Sequence, residues 1–476
     1  MSTTTLAGRR IASLLDENSF VEIGGLITAR ATDFNLKQTD TPSDGVITGY
    51  GVIDGNLVYV YSQDASVLGG SMGEMHAKKI TGLYDLAMKT GAPVIGLIDS
   101  AGLRLQEAAD ALNAFGEVYL KQTLASGVIP QITAVFGSCG GGLALIPTLT
   151  DFTFMEEKKA RLFVNSPNAL AGNEISRCDT SAAAFQSEKA GIVDVVADEA
   201  AIFTQIRELI GMLPANNEDD NSYAECGDDL NRVCTELASC AGDTSILAAN
   251  IADNHFFFET KRNYAKEMVT GFIKLNGVTV GIVANRTEIY GEEGEAVEKF
   301  EPVLTVRGCR KAADFVTFCD AFEIPVLSLT NVKGFDATTC AEKNIAREAA
   351  KLTYAFANAT VPKVNVVIGK AFGSAYITMN SKAIGADMTF AWPDAQIGTM
   401  DAKLAARIIC DGKGAEAIEA CTKEYEALQN NVASAARRGY VDAVIEAPET
   451  RKYIIGAFEM LFTKREDRPV KKHGTV

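Results

Sequence analysis

Two glycine-rich segments of this 476-residue chain contain the residues best suited to chemistry. Gly141 and Gly142 lie in "VFGSCGGGLALIP", Ser374 and Ala375 lie in "VVIGKAFGSAY", and each segment opens on an apolar run. A glycine-rich turn between a buried strand and a helix exposes backbone N–H groups, which the helix dipole directs at negative charge. Small residues that only let helix and strand pack closely would explain one such segment equally well. Two copies at matching positions, without polar catalytic side chains, favour a pair of oxyanion sites.

Residues for nucleophilic catalysis are scarce. A nucleophile needs a neighbouring base, which is usually histidine, and the three histidines, His76, His255 and His473, all lie outside the glycine segments. Cys139 lies inside one segment but has no evident histidine partner, so we expect it to pack in the core. The sequence therefore predicts no Ser-His-Asp or Cys-His site.

Glycine patterns for nucleotide phosphates are absent from the sequence. No GxxxxGK[ST] motif occurs, and "GSCGGG" departs from GxGxxG because Cys139 replaces the second glycine. The segment "AMKT" resembles the tetrapeptide that carries biotin on carrier domains, but its surroundings predict a helix that ends at Gly91. We therefore expect Lys89 to be a solvated helix residue.

Composition narrows the possible partners and location. A net charge of -16 argues against nucleic acid as a partner, because nothing offsets repulsion from phosphates. The ten cysteines are scattered without metal-ligand spacing, which predicts reduced thiols, no bound metal and a cytoplasmic location. The first residues predict a short amphipathic helix rather than a targeting peptide, and no apolar run is long enough to span a membrane.

The sequence contains an internal repeat. "ITGYGVIDGNLVYVYSQD" and "VTGFIKLNGVTVGIVANR" both predict hairpins, and their Thr-Gly pairs, which begin at Thr48 and Thr270, have the same spacing as their turns. Further along, Pro93 matches Pro325 and Gly141 matches Gly373, and these two pairs share one spacing. Internal repeats of this kind indicate that two copies of one fold follow each other in the chain.

Each half predicts the same order of elements: a hairpin, a helix, a buried strand ending in a glycine loop, a helix, a second such strand and a final helix. Between the halves, "PANNEDDNSYAECGDD" is acidic and begins with proline, as linkers often do. We therefore predict an α/β protein with an N-terminal domain over residues 1–213, a linker over residues 214–230 and a C-terminal domain over residues 231–476.

The chain resembles the biotin-dependent acyl-CoA carboxyltransferases, which include propionyl-CoA and acyl-CoA carboxylase beta subunits and methylmalonyl-CoA and glutaconyl-CoA decarboxylase alpha subunits. The resemblance rests on ordered blocks such as "KTGAPVIGLIDSAGLRLQE", "ASGVIPQITAVFGSCGGG", "GADMTFAWPDAQIGTM" and "TKREDRPVKKHG". It implies tandem crotonase-like domains, with the acyl-CoA held by the N-terminal domain and biotin by the C-terminal domain.

The resemblance also implies a reaction and an assembly. The expected reaction moves a carboxyl group between carboxybiotin and the α carbon of an acyl-CoA, with two backbone oxyanion holes and biotin itself as the base. The expected assembly is a homohexamer, a trimer of dimers, whose sites lie between the N-terminal half of one subunit and the C-terminal half of its neighbour. Biotin would arrive on a separate biotin carboxyl carrier protein, and the other partners would be a biotin carboxylase subunit or membrane decarboxylase subunits.

Residue by residue, the resemblance assigns the thioester oxygen to the N–H groups of Gly141 and Gly142 and the biotin ureido oxygen to those of Ser374 and Ala375. The implied substrate-binding residues are Ala101, Gly102, Arg104, Gly140, Gly373 and Ile377. The implied biotin-binding residues are Gly334, Phe335 and Phe372.

Some positions depart from the family pattern. Many members carry an acid where this chain has Ile377, and an apolar residue there favours an acyl group larger or more apolar than acetyl. The N-terminus lacks most of the basic helix that helps relatives to hold the nucleotide end of CoA. Lys78, Lys79 and Arg104 are the candidates for the CoA phosphates by position, although a solvated helix is the expected setting for Lys78 and Lys79.

Other functions remain open at this stage. The same site would catalyse the reverse transfer in a sodium-pumping decarboxylase, so the sequence does not decide the direction. A stand-alone crotonase-like hydratase or isomerase would need a positioned acid, for which Glu107 is the nearest candidate. A non-catalytic scaffold would require that the altered glycine loops have lost their N–H donors, and those donors are retained.

Overall fold

The computed structural model describes residues 4–30, 40–219, 225–469 and 474 of the chain. It divides into two compact units, residues 1–220 and 221–476. The division falls within the stretch that the sequence predicts to be a linker. Among the described residues, no helix combines the length and the apolar character needed to cross a membrane.

The described part of the first unit is built from alternating strands and helices. The strands are β1 (Val21–Ile23), β2 (Val46–Ile53), β3 (Asn56–Gln63), β4 (Val94–Ser100), β5 (Gln131–Gly140), β6 (Phe152–Glu156), β7 (Arg161–Phe163) and β8 (Val195–Ala197). The helices are α1 (Leu6–Leu14), α2 (Glu74–Thr90), α3 (Ala108–Ala125), α4 (Leu145–Leu149), α5 (Ala183–Phe185) and α6 (Glu199–Ile210).

These strands form one sheet in the order β1-β2-β3-β4-β5-β6-β8, with β7 paired to β5. Strands β2 and β3 form the predicted antiparallel hairpin, and β3, β4, β5, β6 and β8 run parallel. Asp54 and Gly55 both have positive φ in the hairpin turn, as a type I′ turn requires. Because β3 starts directly after the hairpin turn and runs parallel to β4, the turn lies at the end of the sheet where the parallel strands begin.

Helices cover both faces of this sheet. Val135 of β5 shares a core with Tyr84 of α2 and Val118 of α3. The next residue along the strand, Phe136, packs against Phe203 of α6, with ring centroids 5.3 Å apart. Because successive strand residues point to opposite faces, α6 lies on the face opposite α2 and α3. Burial on both faces is why the sequences of β4 and β5 are almost continuously apolar.

Two helices of the first unit have well-defined capping residues. Helix α1 is capped by Thr5, whose hydroxyl accepts a hydrogen bond from the Gly8 N–H at 3.2 Å. Helix α2 ends at Gly91, which adopts the left-handed conformation. The "AMKT" segment is thus helical, as predicted.

The second unit repeats this arrangement with additions. Its strands are β9 (Phe257–Thr260), β10 (Met268–Leu275), β11 (Val278–Asn285), β12 (Glu288–Tyr290), β13 (Ala296–Lys299), β14 (Val303–Leu304), β15 (Val326–Val332), β16 (Gly334–Phe335), β17 (Lys363–Phe372), β18 (Met388–Ala391), β19 (Gln396–Gly398) and β20 (Ala443–Val444). Its helices are α7 (Thr244–Ile251), α8 (Val306–Ala321), α9 (Thr339–Glu342), α10 (Ile345–Asn358), α11 (Gly373–Thr378), α12 (Ala402–Ile409), α13 (Ala415–Tyr425), α14 (Val432–Arg437) and α15 (Thr450–Leu461).

The main sheet of the second unit has the order β20-β18-β17-β15-β11-β10-β9, with β19 paired to β17. Read from β9, this is the strand order of the first unit. The pairs β12-β13 and β14-β16 form two small separate sheets. The repeat in the sequence is therefore a repeat of topology, as predicted.

Candidate active site

Strand β5 changes partner just before the three consecutive glycines of the first glycine segment. Residues 132–135 of β5 pair with β6, whereas residues 138–140 pair with β7. The register between β4 and β5 also shifts between Ile98 and Ser100. Gly137 lies at this irregularity, where a Cβ atom would be 1.9 Å from Asp99 Oδ1. The strand end therefore tolerates only glycine at this position.

Residues 140–142, which we call the first glycine turn, comprise the last residue of β5 and the first two residues of a short 3-10 turn over Gly141–Ala144. Gly141 has φ of +63°, and a Cβ added there would meet no atom within 4 Å. Gly141 and Gly142 are the first two residues of the 3-10 turn, where N–H groups have no partner inside the turn. The turn thus combines two N–H groups that have no partner inside it with open space beside Gly141.

Strand β17 ends in the same way. It pairs with β18 through residues 364–367 and with β19 through residues 370–372, and its register with β15 shifts between Thr330 and Val332. Residues 373–375, the second glycine turn, open helix α11. Gly373 has φ of +62°, and a Cβ there would lie 3.1 Å from the Thr399 carbonyl oxygen. Ser374 is exposed and Ala375 is buried.

Two of the residues assigned to substrate binding, Ala101 and Gly102, lie in the loop after β4, next to the first glycine turn. Gly102 has φ of +98°, and a Cβ there would lie 3.5 Å from the Gly140 carbonyl oxygen. The Gly102 carbonyl accepts a hydrogen bond from the Met72 N–H at 2.8 Å, and the Ala101 N–H donates to the Gly69 carbonyl at 2.9 Å. The loop after β4 is thus held by backbone hydrogen bonds beside the end of β5.

The corresponding residues of the second unit are only partly as expected. Gly334 and Phe335 form β16, which pairs with β14 and lies beside α11. Ile377 is half-buried on α11. Phe372, which the resemblance assigns to biotin, has a side chain only 1% exposed. Its ring belongs to the core, so the side chain is not presented to a ligand.

Arg104 is not available to a CoA phosphate, contrary to the expectation from its position. Its side chain is 1% exposed, and Nη1 donates to Asp44 Oδ1 at 2.7 Å and to Glu107 Oε1 at 2.8 Å. Nη2 donates to the Ser71 carbonyl at 2.7 Å. Burial raises the pKa of Asp44, and the Arg104 charge opposes that shift. The sequence places the arginine near the loop but does not reveal that two buried carboxylates bind it.

Glu107, the candidate acid for a hydratase, caps a helix instead. Its Oε2 accepts a hydrogen bond from the Glu74 N–H, the first residue of α2, at 2.6 Å. A Cβ at Gly73 would lie 2.3 Å from Oε1 of Glu107, so glycine is required for this close approach. Asp44 accepts from the His76 N–H at 2.8 Å in the same helix turn. The two carboxylates therefore accept hydrogen bonds from free N–H groups in the first turn of α2, where their negative charge also interacts favourably with the helix dipole.

Lys79 is also a structural residue and not a phosphate ligand. Its Nζ is buried and donates to the Ser43 carbonyl at 3.0 Å and to the Val46 carbonyl. Burial lowers the pKa of Lys79 to about 8. Lys311, its counterpart in the repeat, donates to two carbonyls in the second unit in the same way. Lys78, in contrast, is exposed and pairs with Glu74 at 2.8 Å.

Cys139 lies at the first glycine turn but inside the core. The thiol is fully buried, and Sγ lies 3.5 Å from the Leu143 carbonyl oxygen. Burial raises the pKa of this thiol, which keeps it protonated and unreactive. This matches the packing role that the sequence favoured. Within the described ranges, no group of three or more acidic, cysteine or histidine side chains is arranged to hold a metal ion.

Tyr119 is a residue at the first glycine turn that the sequence analysis missed. Its hydroxyl donates a hydrogen bond to the Gly142 carbonyl at 2.6 Å. The repeat gives no indication of it, because the matching residue in the second half is Lys351. Only the helical phase of α3 and its packing against the rest of the unit show which side chain reaches the turn.

Comparison with known proteins identifies the family of this chain. The family described as "Carboxyl transferase domain" matches residues 3–476. The chain belongs to this family. It is a carboxyltransferase of the biotin-dependent carboxylases and decarboxylases, as the resemblance implied.

Relatives in this family include both carboxylase and decarboxylase subunits. The chain is 40% identical to methylmalonyl-CoA decarboxylase subunit alpha of Propionigenium modestum, over 99% of this chain and 92% of the relative. It is also 40% identical to the propionyl-CoA carboxylase beta chain of Roseobacter denitrificans, over 99% of this chain and 93% of the relative. Equal identity to the two kinds of subunit leaves the direction of transfer open.

Among solved structures, the chain is similar to transcarboxylase 12S, a hexamer solved with methylmalonyl-coenzyme A bound. The TM-score is 0.91 at 37% identity, covering 98% of this chain and 91% of that one. The tandem crotonase-like fold implied by the resemblance is therefore confirmed.

Proposed function

We propose that this chain transfers a carboxyl group between carboxybiotin on a separate carrier protein and the α carbon of propionyl-CoA or a similar acyl-CoA. The observation that carries the proposal is the pair of left-handed glycines, Gly141 and Gly373, each at the end of a buried strand that changes partner. The names of the relatives support propionyl-CoA and methylmalonyl-CoA as the substrate pair.

The first glycine turn suits the thioester oxygen. Forming an enolate at the α carbon places negative charge on this oxygen, and the N–H groups of Gly141 and Gly142 are the donors assigned to it. The open space beside Gly141 leaves room for a ligand to approach the backbone. Losing one donor of this kind typically costs about 3 kcal/mol of transition-state stabilisation.

The second glycine turn suits the ureido oxygen of biotin. The N–H groups of Ser374 and Ala375 are the assigned donors, and they open helix α11, whose dipole favours an anion. Carboxybiotin, when bound, supplies the carboxyl group and the base for the α proton. This chain then holds the two oxygens and needs no basic side chain of its own at either turn.

The assembly is part of the same proposal. The hexameric relative supports a homohexamer, and the carboxylase and decarboxylase relatives support a biotin carboxyl carrier protein as partner, together with a biotin carboxylase or membrane decarboxylase subunits. In a decarboxylase, the chain would run the transfer from the carboxyacyl-CoA to biotin. The described cysteines are all free, which supports the cytoplasmic location we assign to the chain.

A hydratase or isomerase is not favoured by the structure. Its candidate acid, Glu107, is 3% exposed and binds Arg104 and a helix N-terminus. A carboxylate held in this way is not presented to a substrate.

The proposal is tested by incubating the purified protein with free biotin and malonyl-, methylmalonyl- or longer carboxyacyl-CoA. We expect biotin-dependent loss of the carboxyl group, followed by mass, with methylmalonyl-CoA the preferred substrate. Loss without biotin would contradict the assigned chemistry. No turnover of any of these thioesters by folded, oligomeric protein would overturn the proposal.

A further inference from the structure

The first glycine turn needs a contact that the second does not. Residues 140–142 are all glycine, whereas the residues at the matching positions of the second half are Phe372, Gly373 and Ser374. Glycine loses more conformational freedom on folding than other residues, so three in a row need outside contacts to keep one conformation. Donors that stabilise a transition state work best when they are already held in place.

Tyr119 supplies such a contact. Its Oη donates to the Gly142 carbonyl at 2.6 Å, and the Leu145 N–H is directed at the same oxygen. The tyrosine ring packs edge-to-face against Phe115, one turn earlier on α3, with centroids 6.1 Å apart. Burial raises the pKa of Tyr119, so its hydroxyl stays protonated at neutral pH. The Gly142 carbonyl is thus held by donors from two different elements.

The second unit shows the contrast. The spacing that relates Gly141 to Gly373 matches Tyr119 with Lys351, whose Nζ lies 3.9 Å from Glu348 in the same helix. The tyrosine is present beside three glycines, and it is absent where the Cβ atoms of Phe372 and Ser374 already restrict the backbone.

The space beside Gly142 is coupled to the same hydroxyl. A Cβ atom at Gly142 would lie 3.0 Å from Tyr119 Oη, so the hydroxyl would have to move away by a few tenths of an ångström. Gly142 itself does not have positive φ, so alanine suits its backbone. A methyl group there would therefore act mainly by displacing Tyr119.

We propose that Tyr119 is a positioning residue for carboxyl transfer: through the Gly142 carbonyl it holds the first glycine turn in its working conformation. This role rests on the function proposed above, because it assumes that the turn binds the thioester oxygen.

The first test compares Tyr119→Phe with wild type in the biotin-dependent decarboxylation of methylmalonyl-CoA. We expect kcat to fall about five- to tenfold, the effect of losing one hydrogen bond, with KM for the CoA ester within twofold. Tyr59→Phe is the matched control. The Tyr59 hydroxyl accepts a hydrogen bond from Thr90 at the end of the sheet opposite the glycine turn, so this variant should keep wild-type kcat. A Tyr119→Phe variant with unchanged kcat would overturn the inference.

The second test is a double-mutant cycle with Gly142→Ala. If the methyl group displaces the Tyr119 hydroxyl, Gly142→Ala already loses the hydrogen bond, and adding Tyr119→Phe should lower kcat by less than twofold more. Multiplied effects in the double variant would show that the two residues act separately and would overturn the proposal.

These outcomes separate the two proposals. Absence of biotin-dependent turnover in the wild-type protein would contradict the proposed function. Active wild type with an unaffected Tyr119→Phe variant would remove only the role of Tyr119. A variant that lowers thermal stability while kcat and KM stay unchanged would make Tyr119 a packing residue, which also contradicts the inference.

Discussion

Gly141 and Gly373 occupy matching positions in the two halves of the chain, with φ values of +63° and +62°, and each follows the last residue of a strand that changes partner. The same register shift precedes both, between Ile98 and Ser100 in one unit and between Thr330 and Val332 in the other. The repeat therefore preserves the backbone geometry of the two turns while their side chains have diverged.

A methyl group at Gly141 should abolish most of the activity at little cost in stability. In Gly141→Ala the Cβ enters the open space beside the turn, where the thioester would bind. We expect kcat/KM to fall about 100-fold, equivalent to losing about 3 kcal/mol of oxyanion stabilisation, measured by biotin-dependent decarboxylation. Gly55→Ala is the control, because Gly55 also has positive φ and open space but lies at the end of the sheet opposite the glycine turn. Both variants should lose about 1 kcal/mol of unfolding free energy; equal activities would refute the assignment.

A methyl group at Gly373 should impair the biotin side selectively. Its Cβ would lie 3.1 Å from the Thr399 carbonyl and strain a left-handed residue, so the Ser374 N–H should shift. We expect kcat to fall at least tenfold while KM for the CoA ester stays within twofold, in steady-state kinetics with saturating biotin. Gly439→Ala, which has positive φ and open space before β20, should keep wild-type kinetics. A change in KM for the CoA ester alone would contradict this assignment.

Removing the Arg104 guanidinium should destabilise the first unit severely. Arg104→Met leaves the buried carboxylates of Asp44 and Glu107 without their cation. Breaking a buried pair in this way costs about 3–5 kcal/mol of unfolding free energy, measured by denaturant titration. Lys78→Met, on α2, removes only an exposed pair with Glu74 and should cost less than about 0.5 kcal/mol. A stable Arg104→Met variant with a raised KM for CoA esters would restore Arg104 as a phosphate ligand.

His76 should make stability depend on pH below neutrality. Burial lowers the pKa of His76 to about 3, and the Arg104 and Lys79 charges act in the same direction. The unfolded chain binds a proton at His76 below about pH 6.5 and the folded chain does not, so this contribution is fully present above that pH. It is lost as the pH falls toward 3, by up to about 1.4 kcal/mol per pH unit. His76→Asn should show a shallower loss between about pH 6.5 and 4.5 in chemical unfolding. Parallel curves for wild type and His76→Asn would contradict the shift.

The sequence predicted the elements well where local patterns decide them. Asp54-Gly55 specifies a hairpin turn through its positive φ values, and Gly91 ends α2 for the same reason. The repeat predicted that Gly141 and Gly373 would be equivalent, and they are. Arg104 was misjudged because its position near the loop is visible in the sequence while its pairing with Asp44, far earlier in the chain, is not.

The sequence by itself determined the family, the repeated topology and the position of both glycine turns, because turn residues and apolar runs act over a few residues. Only the tertiary structure decided which side chains are free to act. Arg104 and Lys79, the candidate phosphate ligands, and Glu107, the candidate acid, are buried and have structural roles, and folding brings Tyr119 to Gly142. The physical reason is that a charge or hydroxyl takes its role from the groups packed around it, and these come from distant parts of the chain.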